Sequence, residues 1–291
     1  PRAQGRRRTG IRAVRASGAP TGATAARTTG PTPRARRRPA RSSPIRAVVR
    51  LLVQAPLAAA VTVVLSSAAI VVGVLDRSGR GCRILAGIWS RALLGIGRVG
   101  VRVEGLEHLP TGPAVYAANH GSALDIPIVL GHLPVDFRII HKRSIYLIPF
   151  LGQAVWASRH IGIDRRNAFR ARRSLTDAAR RIRDGTSVVV FPEGTRSPDA
   201  TVRRFKRGSF GLALQAGVPI VPVSLVGVKE VVPRGFLSLV PGTVGVRVHP
   251  AVPVAGRTPD EAEALAEEVR QIVAAGCALG EDGRPGTAPS C

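Results

Sequence analysis

A stretch of twenty-five residues without a formal charge, from Leu51 to Leu75, constrains this chain more than any other feature. As a helix it would be about 38 Å long, which exceeds the roughly 30 Å hydrocarbon core of a bilayer. It is too long, and too far from the N-terminus, for an ordinary secretory signal peptide. The stretch therefore favours a helix in contact with a membrane, with a buried core helix as the alternative.

A second apolar helix is predicted directly after it. Seven apolar residues share one face of this helix and three arginines lie opposite: Ile84, Leu85, Ile88, Trp89, Ala92, Leu93 and Ile96 against Arg83, Arg91 and Arg98. This pattern is typical of a helix that lies at a membrane interface. We expect residues 44–97 to form a membrane-associating segment whose two helices, 46–75 and 81–97, lie on or dip into one leaflet.

The N-terminal segment carries much of the chain's positive charge. The formal charge is +25, and residues 1–50 hold fourteen Arg and no acidic residue, which leaves 25 − 14 = +11 for the rest. Residues 1–43 have almost no large apolar side chains, so we expect a disordered tail there, and a short flexible tail over residues 279–291. An Arg-rich tail binds nucleic acid or another anionic surface through counterion release alone. A binding protein is therefore one alternative class.

The part of the chain from residue 98 to residue 278 alternates strand-like and helix-like segments. Six runs read as strands: Val99 to Val103, Ala114 to Ala117, Phe137 to Ile140, Ser187 to Phe191, Ile220 to Leu225 and Val244 to Val248. Four segments read as helices: Ala123 to Leu133, Ala168 to Asp184, Ser209 to Ala216 and Pro259 to Ala275. Asn167 and the Thr258–Glu261 capping box mark two helix starts. The alternation predicts an α/β domain with a mixed sheet flanked by helices.

His120 and Asp125 form the first candidate site. His120 follows an apolar strand, and ligands of open α/β sheets bind at the carboxyl ends of strands. On one continuous helix the two residues would lie about 140° apart. They meet only if His120 lies in a loop and Asp125 in the first helical turn, with Ser122 as the N-cap. The alternative is that Asp125 merely completes a capping box with Ser122.

The second candidate site is Arg196, which follows a Pro/Gly turn in the segment Phe191–Ser197. A guanidinium group pairs with phosphate oxygens in a bidentate manner, and backbone N–H groups at a glycine turn add donors. The alternative is an ordinary connection after a strand, in which Arg196 is a surface charge.

Together, Asn119–Asp125 and Phe191–Arg196 resemble the HxxxxD and FPEGTR blocks of the glycerolipid acyltransferase family, whose best known members are 1-acyl-sn-glycerol-3-phosphate acyltransferases. The resemblance implies that His120 accepts the proton of an acceptor hydroxyl as it attacks a thioester carbonyl, while Asp125 orients His120. It also implies a phosphate site at Arg196, Gly194 and Thr195, supported by Asn119 and Glu193, with Glu193 holding the turn. Because the chain has no G-x-S-x-G elbow, we expect direct transfer without an acyl-serine intermediate.

Three weaker blocks fall between and after these two. Ile161–Arg165 resembles part of the family's G-x-x-F-I-D-R segment, although Arg159 and Gly162 replace its Gly and Phe; Arg165 becomes a second candidate for phosphate. Lys142, ahead of an Ile-Pro-Phe-Leu-Gly stretch, matches a lysine that faces the phosphate site in the family. Val218–Val223 resembles a fourth, apolar block, with a structural role or a place along the acyl path.

The resemblance implies acyl transfer from acyl-CoA or acyl carrier protein to the free hydroxyl of 1-acyl-glycerol-3-phosphate, giving phosphatidic acid in phospholipid synthesis. It implies no metal, no cofactor and no nucleic-acid partner, but contact with membrane lipids. An Arg-rich segment stays in the cytoplasm. If residues 51–75 crossed the membrane fully, the domain after them would therefore lie outside the cell, away from cytosolic thioesters. We therefore expect the cytoplasmic face of the cell membrane.

Two alternatives concern the chemistry itself. The same transfer to another lysolipid, such as a lyso-ornithine lipid, uses the same catalytic block. A metal hydrolase built on His120 and Asp125 lacks a convincing third ligand. The basic run Arg203–Arg207 is either a solvated face or a site for anionic head groups or the phosphates of coenzyme A.

Overall fold

The structure is a computed structural model that describes residues 44–76, 78–164, 167–197, 201–232 and 239–279. The expected N-terminal tail, residues 1–43, lies outside the described residues, as does all of the expected C-terminal tail except Leu279.

Two antiparallel helices precede the domain, α1 (Pro44–Leu75) and α2 (Arg80–Gly97). The Asp76 carboxylate closes the turn between them by accepting the backbone N–H groups of Ser78 at 2.8 Å and Gly81 at 2.9 Å. At the other end, Gln54 donates to the carbonyl oxygen of Leu239 at 3.2 Å and accepts its N–H at 2.9 Å. These paired bonds tie α1 to the domain.

The prediction that Arg83 lies on the solvated face of α2 is wrong. Its guanidinium donates to the carbonyl oxygens of Leu130 at 2.6 Å and Leu133 at 2.9 Å, and lies 4.8 Å from the centroid of the Phe137 ring. The last carbonyl groups of a helix have no partners within it. Arg83 therefore satisfies the end of a neighbouring helix and does not face a solvated surface.

In the described part of the chain, seven strands form one sheet in the order β1-β7-β6-β2-β5-β3-β4. Their bounds are β1 Val99–Glu104, β2 Val115–Ala118, β3 Phe137–Lys142, β4 Ile161–Ile163, β5 Ser187–Val190, β6 Ile220–Val226 and β7 Gly242–Val248. Adjacent strands are parallel except β6 and β7, which are antiparallel. The predicted mixed sheet is confirmed.

Six more helices complete the described part of the domain: α3 Asp125–His132, α4 Leu151–Ala157, α5 Ala168–Arg183, α6 Gly208–Ala216, α7 Val228–Val231 and α8 Ala262–Ala278. A 3₁₀ turn, Arg143–Leu147, precedes α4. The side chain of Asn167 accepts the N–H of Arg170 at 2.9 Å, and Glu261 accepts that of Thr258 at 2.6 Å. Both predicted helix caps are therefore confirmed.

The central strands are buried on both faces, as β2 illustrates. Val115 and Ala117 belong to a core that includes side chains of α5, α6 and α8. Tyr116 and Ala118 belong to a second core that includes side chains of α2 and α3. The sheet therefore separates α5, α6 and α8 from the helices that pack with α1.

Candidate active site

The catalytic candidates His120 and Asp125 are in direct contact. His120 lies in the loop after β2, Asp125 begins α3, and the distance from Nδ1 of His120 to Oδ2 of Asp125 is 2.7 Å. The Asp125 side chain is 1% exposed and that of His120 15% exposed. A carboxylate bound at Nδ1 holds the proton there and leaves Nε2 as the proton acceptor. The pair has the form of a base and the group that orients it.

The loop between them is fixed by hydrogen bonds, but not by the one predicted. Asp125 Oδ2 also accepts the N–H of Ser122 at 2.9 Å, and Ser122 Oγ accepts the N–H of Leu124 at 3.2 Å. Ser122 as N-cap is wrong, because α3 begins after Leu124, which makes no side-chain cap bond. Asp125 therefore bonds to His120 and to the preceding turn at once, and the two interpretations of it are compatible.

Asn119 anchors the start of the same loop. Its side chain donates to the carbonyl oxygen of Leu225 at 3.0 Å and accepts the N–H of Leu225 at 2.8 Å. These bonds join the end of β2 to β6. They fix the backbone one residue before His120.

The two motif segments, about seventy residues apart in sequence, meet at the carboxyl ends of β2 and β5, which are adjacent and parallel. Glu193 Oε1 accepts the backbone N–H of His120 at 2.8 Å, and the backbone N–H of Ser197 donates to the carbonyl oxygen of His120 at 2.8 Å. The Phe191 ring stacks on the imidazole of His120 with centroids 4.4 Å apart. Gly194 has φ 76°, the left-handed region that suits glycine.

Glu193 is an unusual acceptor because it is 4% exposed. Burial raises the pKa of its carboxyl group, and the hydrogen bonds from the backbone of His120 and Arg203 oppose that rise. Glu193 thus bonds to the backbone of two other loops, which fits the implied role of holding the Pro192–Gly194 turn in place.

Arg196, Thr195, Gly194 and Lys142 line the same cavity as His120. Arg196 and Lys142 are exposed, and within the described residues neither belongs to an ion pair. Two solvated cations beside a base are suited to hold an anionic part of a substrate. The third predicted cation, Arg165, lies outside the described residues.

One further cation, Lys206, was not singled out from the sequence. A Cβ atom placed on Gly194 would lie 2.8 Å from Nζ of Lys206, and the backbone N–H of Lys206 donates to the carbonyl oxygen of Pro192 at 2.9 Å. Lys206 therefore adds positive charge beside the Pro192–Gly194 turn. Its only sequence signal was membership of a basic run.

The cavity has a volume of about 880 Å³, which is in the range of small-molecule sites. Most of its wall is apolar and comes from α1, α2, α3 and α4, for example Ala59, Leu85, Trp89, Ile126 and Val155. No group of three or more His, Cys, Asp or Glu in the described ranges is placed to hold a metal ion. The expectation that no metal or cofactor is needed stays a prediction.

A family model matches the part of the chain that holds the site. Residues 100–226 match a family model described as Acyltransferase. These residues contain both motif turns, the strands β2 to β6 and all of β1 except Val99. This part of the chain is thus similar to acyltransferase domains, as the resemblance implied.

Similar proteins carry a more specific name. A 1-acyl-sn-glycerol-3-phosphate acyltransferase of Chlamydomonas reinhardtii is 39% identical over 178 residues, 60% of this chain and 52% of that protein. A chloroplastic one of Arabidopsis thaliana is 37% identical over 181 residues, 60% of this chain and 48% of that protein. The human alpha form is 38% identical over 175 residues, 59% of this chain and 62% of that protein. The chain thus spans about half the length of the first two.

A solved structure extends the match to the fold. The crystal structure of the 1-acyl-sn-glycerophosphate (LPA) acyltransferase PlsC of Thermotoga maritima has a TM-score of 0.68 and 29% sequence identity, and the match covers 80% of this chain and 95% of that one. The α/β fold with helices on both faces of a mixed sheet is therefore shared with PlsC.

Proposed function

We propose that this protein transfers a fatty acyl group from a thioester, acyl-CoA or acyl carrier protein, to the free hydroxyl of 1-acyl-glycerol-3-phosphate. The product is phosphatidic acid. The observation that carries the proposal is the hydrogen-bonded His120–Asp125 pair in one cavity with Arg196 and Lys142. The names of the relatives, which share the domain that holds these residues, support it.

The proposed reaction is a direct transfer. Nε2 of His120 takes the proton of the acceptor hydroxyl as its oxygen attacks the thioester carbonyl, and Asp125 stabilises the imidazolium. The tetrahedral intermediate collapses as the carbon–sulfur bond breaks. The departing thiolate takes the proton from His120, which restores the starting state without an acyl-enzyme.

The cations favour a phosphorylated acceptor over the alternative lyso-ornithine lipid. Arg196 and Lys142 line the cavity, and a third cation, Lys206, lies beside the turn at Gly194. A phosphate monoester carries up to two negative charges that such groups bind. A lyso-ornithine lipid has no phosphate and gives these cations less to bind.

The apolar wall suits the fatty acyl part of the reaction. An acyl chain gains about 0.8 kcal/mol for each methylene group that leaves water. The helices α1, α2, α3 and α4 supply that environment next to His120. One cavity thus offers cations for the charged part of the substrate and an apolar wall for its acyl chain.

We propose that α1 holds the protein on the cytoplasmic face of the cell membrane without carrying the domain across. Within the described residues, one helical stretch, Leu52–Leu75, is long and apolar enough to cross a bilayer; its mean hydropathy is 2.4 and little of it is buried. One side of α1 lines the cavity, and Gln54 bonds to Leu239, so α1 is part of the folded domain. Because α1 packs against its own domain, these contacts favour a position of α1 in one leaflet over a crossing of the bilayer.

Fractionation tests the anchoring. Apolar contact with lipid resists salt, whereas Arg contacts to anionic lipid are screened by it. We expect high salt to leave the protein on membranes and detergent to release it. For the face, Arg203→Cys, with the three native cysteines replaced, should be protected from an impermeant thiol reagent in intact cells; labelling from outside would contradict the assignment.

A panel of lysolipids tests the acceptor. The purified full chain is offered lysophosphatidic acid, other lysophospholipids and a lyso-ornithine lipid, each with a labelled acyl thioester, and the products are identified by mass. We expect phosphatidic acid as the main product. Preferred acylation of an acceptor without phosphate would overturn the proposed substrate while leaving the acyl-transfer chemistry in place.

A further inference from the structure

A group of large apolar side chains is exposed around the 3₁₀ turn Arg143–Leu147 and α4. Leu147 is 82% exposed, Ile148 42%, Phe150 46% and Trp156 70%. We refer to these four residues as the α4 apolar surface. Exposed apolar side chains that cluster together mark an interaction site, whereas isolated ones need no explanation.

The other side of the same segment faces inward. Ile145, Leu151, Ala154 and Val155 line the cavity that contains His120. One apolar side of the segment therefore forms part of the cavity wall. The α4 apolar surface is a second side, which the described part of the domain does not cover.

This surface is held in a fixed orientation. The Tyr146 hydroxyl donates to the carbonyl oxygen of His160 at 2.9 Å, and a Cβ on Gly162 would lie 2.5 Å from the Tyr146 ring. Phe150 has φ 62°, which is a strained conformation for a bulky residue. The fold thus keeps an aromatic ring exposed at the cost of backbone strain.

The backbone of the segment is compatible with lipid, where an unpaired polar group is costly. The N–H groups of Ile148, Leu151 and Gly152 donate to carbonyl oxygens of the same segment, at 3.1, 2.7 and 2.7 Å. Pro149 has no N–H group to satisfy. The exposed turn therefore brings few unpaired backbone donors to an apolar environment.

The α4 apolar surface lies next to the exposed side of α1. α4 packs on α1, and a Cβ on Gly73 would lie 2.6 Å from Cβ of Ala157. In the last turn of α1, Val71, Val74 and Leu75 are 60%, 68% and 80% exposed. Two apolar surfaces on adjacent helices thus meet at one end of α1.

We propose that the α4 apolar surface is a second bilayer contact, which enters the interface of the leaflet that α1 occupies. The exposed cation Arg143 lies four residues before Leu147 and suits the anionic head groups at that depth. The cavity wall shared by α1 and α4 then adjoins the leaflet, so a lysolipid reaches His120 from the bilayer. This inference rests on the membrane association proposed for α1, but not on the acyl-transfer reaction.

Tryptophan fluorescence tests this contact, because the chain has two tryptophans, Trp89 in the cavity wall and Trp156 on the surface. In the full-length Trp89→Phe variant, Trp156 is the only emitter. The probe is a vesicle of phosphatidylcholine and phosphatidylglycerol, with or without bromine on the acyl chains. We expect strong quenching of this emission by the brominated lipid relative to the unbrominated lipid.

A matched control places the emitter on the opposite face of the sheet. Gln271 is exposed on α8, so the triple variant Trp89→Phe, Trp156→Phe, Gln271→Trp has one solvated tryptophan away from α1. Its emission should be nearly unchanged by bromination. Vesicle binding with equal quenching at both positions, or with none at Trp156, would overturn the second contact. A failure to bind vesicles at all would instead contradict the role of α1.

A kinetic comparison adds an independent outcome. Leu147→Asp with Trp156→Gln changes side chains outside the cavity wall. We expect at least a tenfold loss of acylation of vesicle-borne lysolipid and little change with short-chain acceptor dispersed as monomers. Equal activity of the variant and wild type on vesicles would overturn the inference. So would a lipid-independent change of Trp156 emission with protein concentration, which would assign the surface to contact between copies of the chain.

Discussion

Glu193 holds the loop that carries His120 by accepting the backbone N–H of His120 at 2.8 Å. The bond joins residues 73 positions apart and is part-buried. Asp125 fixes the imidazole ring of His120, and Glu193 fixes the backbone of the same residue. The direction of Nε2 therefore depends on both carboxylates. The Pro192–Gly194 turn therefore positions the imidazole of His120, and its Gly194 also lines the cavity.

Replacing Glu193 tests this positioning role. Glu193→Gln keeps an oxygen that can accept the His120 N–H, whereas Glu193→Ala leaves that donor without its partner. We expect Glu193→Ala to lower kcat by up to about a hundredfold, since small misplacement of a catalytic group has such effects. Glu193→Gln should recover most of the activity. Equal losses in both variants would show that the negative charge, and not the hydrogen bond, is required.

Asp125→Asn tests the orientation of the base. The substitution preserves volume but removes the charge that stabilises the imidazolium and fixes the proton on Nδ1. We expect a loss of acyl transfer on the order of a hundred to ten thousand fold with a normal circular dichroism spectrum. A rate near that of wild type would mean that Asp125 serves only the turn at Ser122.

Arg196→Ala tests the phosphate site. It removes a charge-assisted contact that is present in the ground state and the transition state alike, so the KM for lysophosphatidic acid should rise about ten- to hundredfold with a smaller change of kcat. Lys142→Ala should act in the same direction. Arg172→Ala, an exposed arginine on α5 outside the cavity, is the matched control and should leave KM unchanged. Equal effects at Arg172 and Arg196 would argue for general electrostatic attraction instead.

His249 makes stability depend on pH. Its Nε2 lies 2.7 Å from Ser224 Oγ, and burial, with Arg247 and His108 nearby, lowers its pKa from 6.5 to about 4. The unfolded chain therefore binds a proton at a higher pH than the folded chain, and stability is lost as the pH falls from about 6.5 towards 4.

Thermal unfolding of the detergent-solubilised protein at pH 7 and pH 5 checks this dependence. We expect a smaller fall of Tm in His249→Asn than in wild type. His160, whose pKa burial lowers to about 3, keeps part of the dependence in the variant. An unchanged fall would assign the acid sensitivity to other groups.

The elements that the sequence predicted well are those with a local signal. The buried strands β2, β5 and β6 are near-continuous apolar runs, and α5 begins at a capping asparagine. The missed elements, β4, α4 and α7, have 3, 7 and 4 residues, too few for a periodic pattern. Tertiary contacts define them instead, such as those of Tyr146 with His160 and Gly162.

The same distinction holds in the site. The spacing of His120 and Asp125 limited how they meet, and the motif resemblance singled out Arg196. The contacts of Glu193 with His120 and of Lys206 with the Gly194 turn depend on strands and loops far apart in sequence. The contacts of Arg83 are not predictable for a similar reason, because its partners are carbonyl groups at the end of α3, about fifty residues away in sequence.

The proposed reaction at His120 is tested most directly by one comparison. Wild type and His120→Ala, both purified as the full chain, are given lysophosphatidic acid and a labelled acyl thioester, and labelled phosphatidic acid is measured by mass. We expect wild type to form phosphatidic acid, and the variant to form it at a rate lower by on the order of a hundred to ten thousand fold. No phosphatidic acid from wild type, or an equal rate in the folded variant, would contradict the proposed reaction.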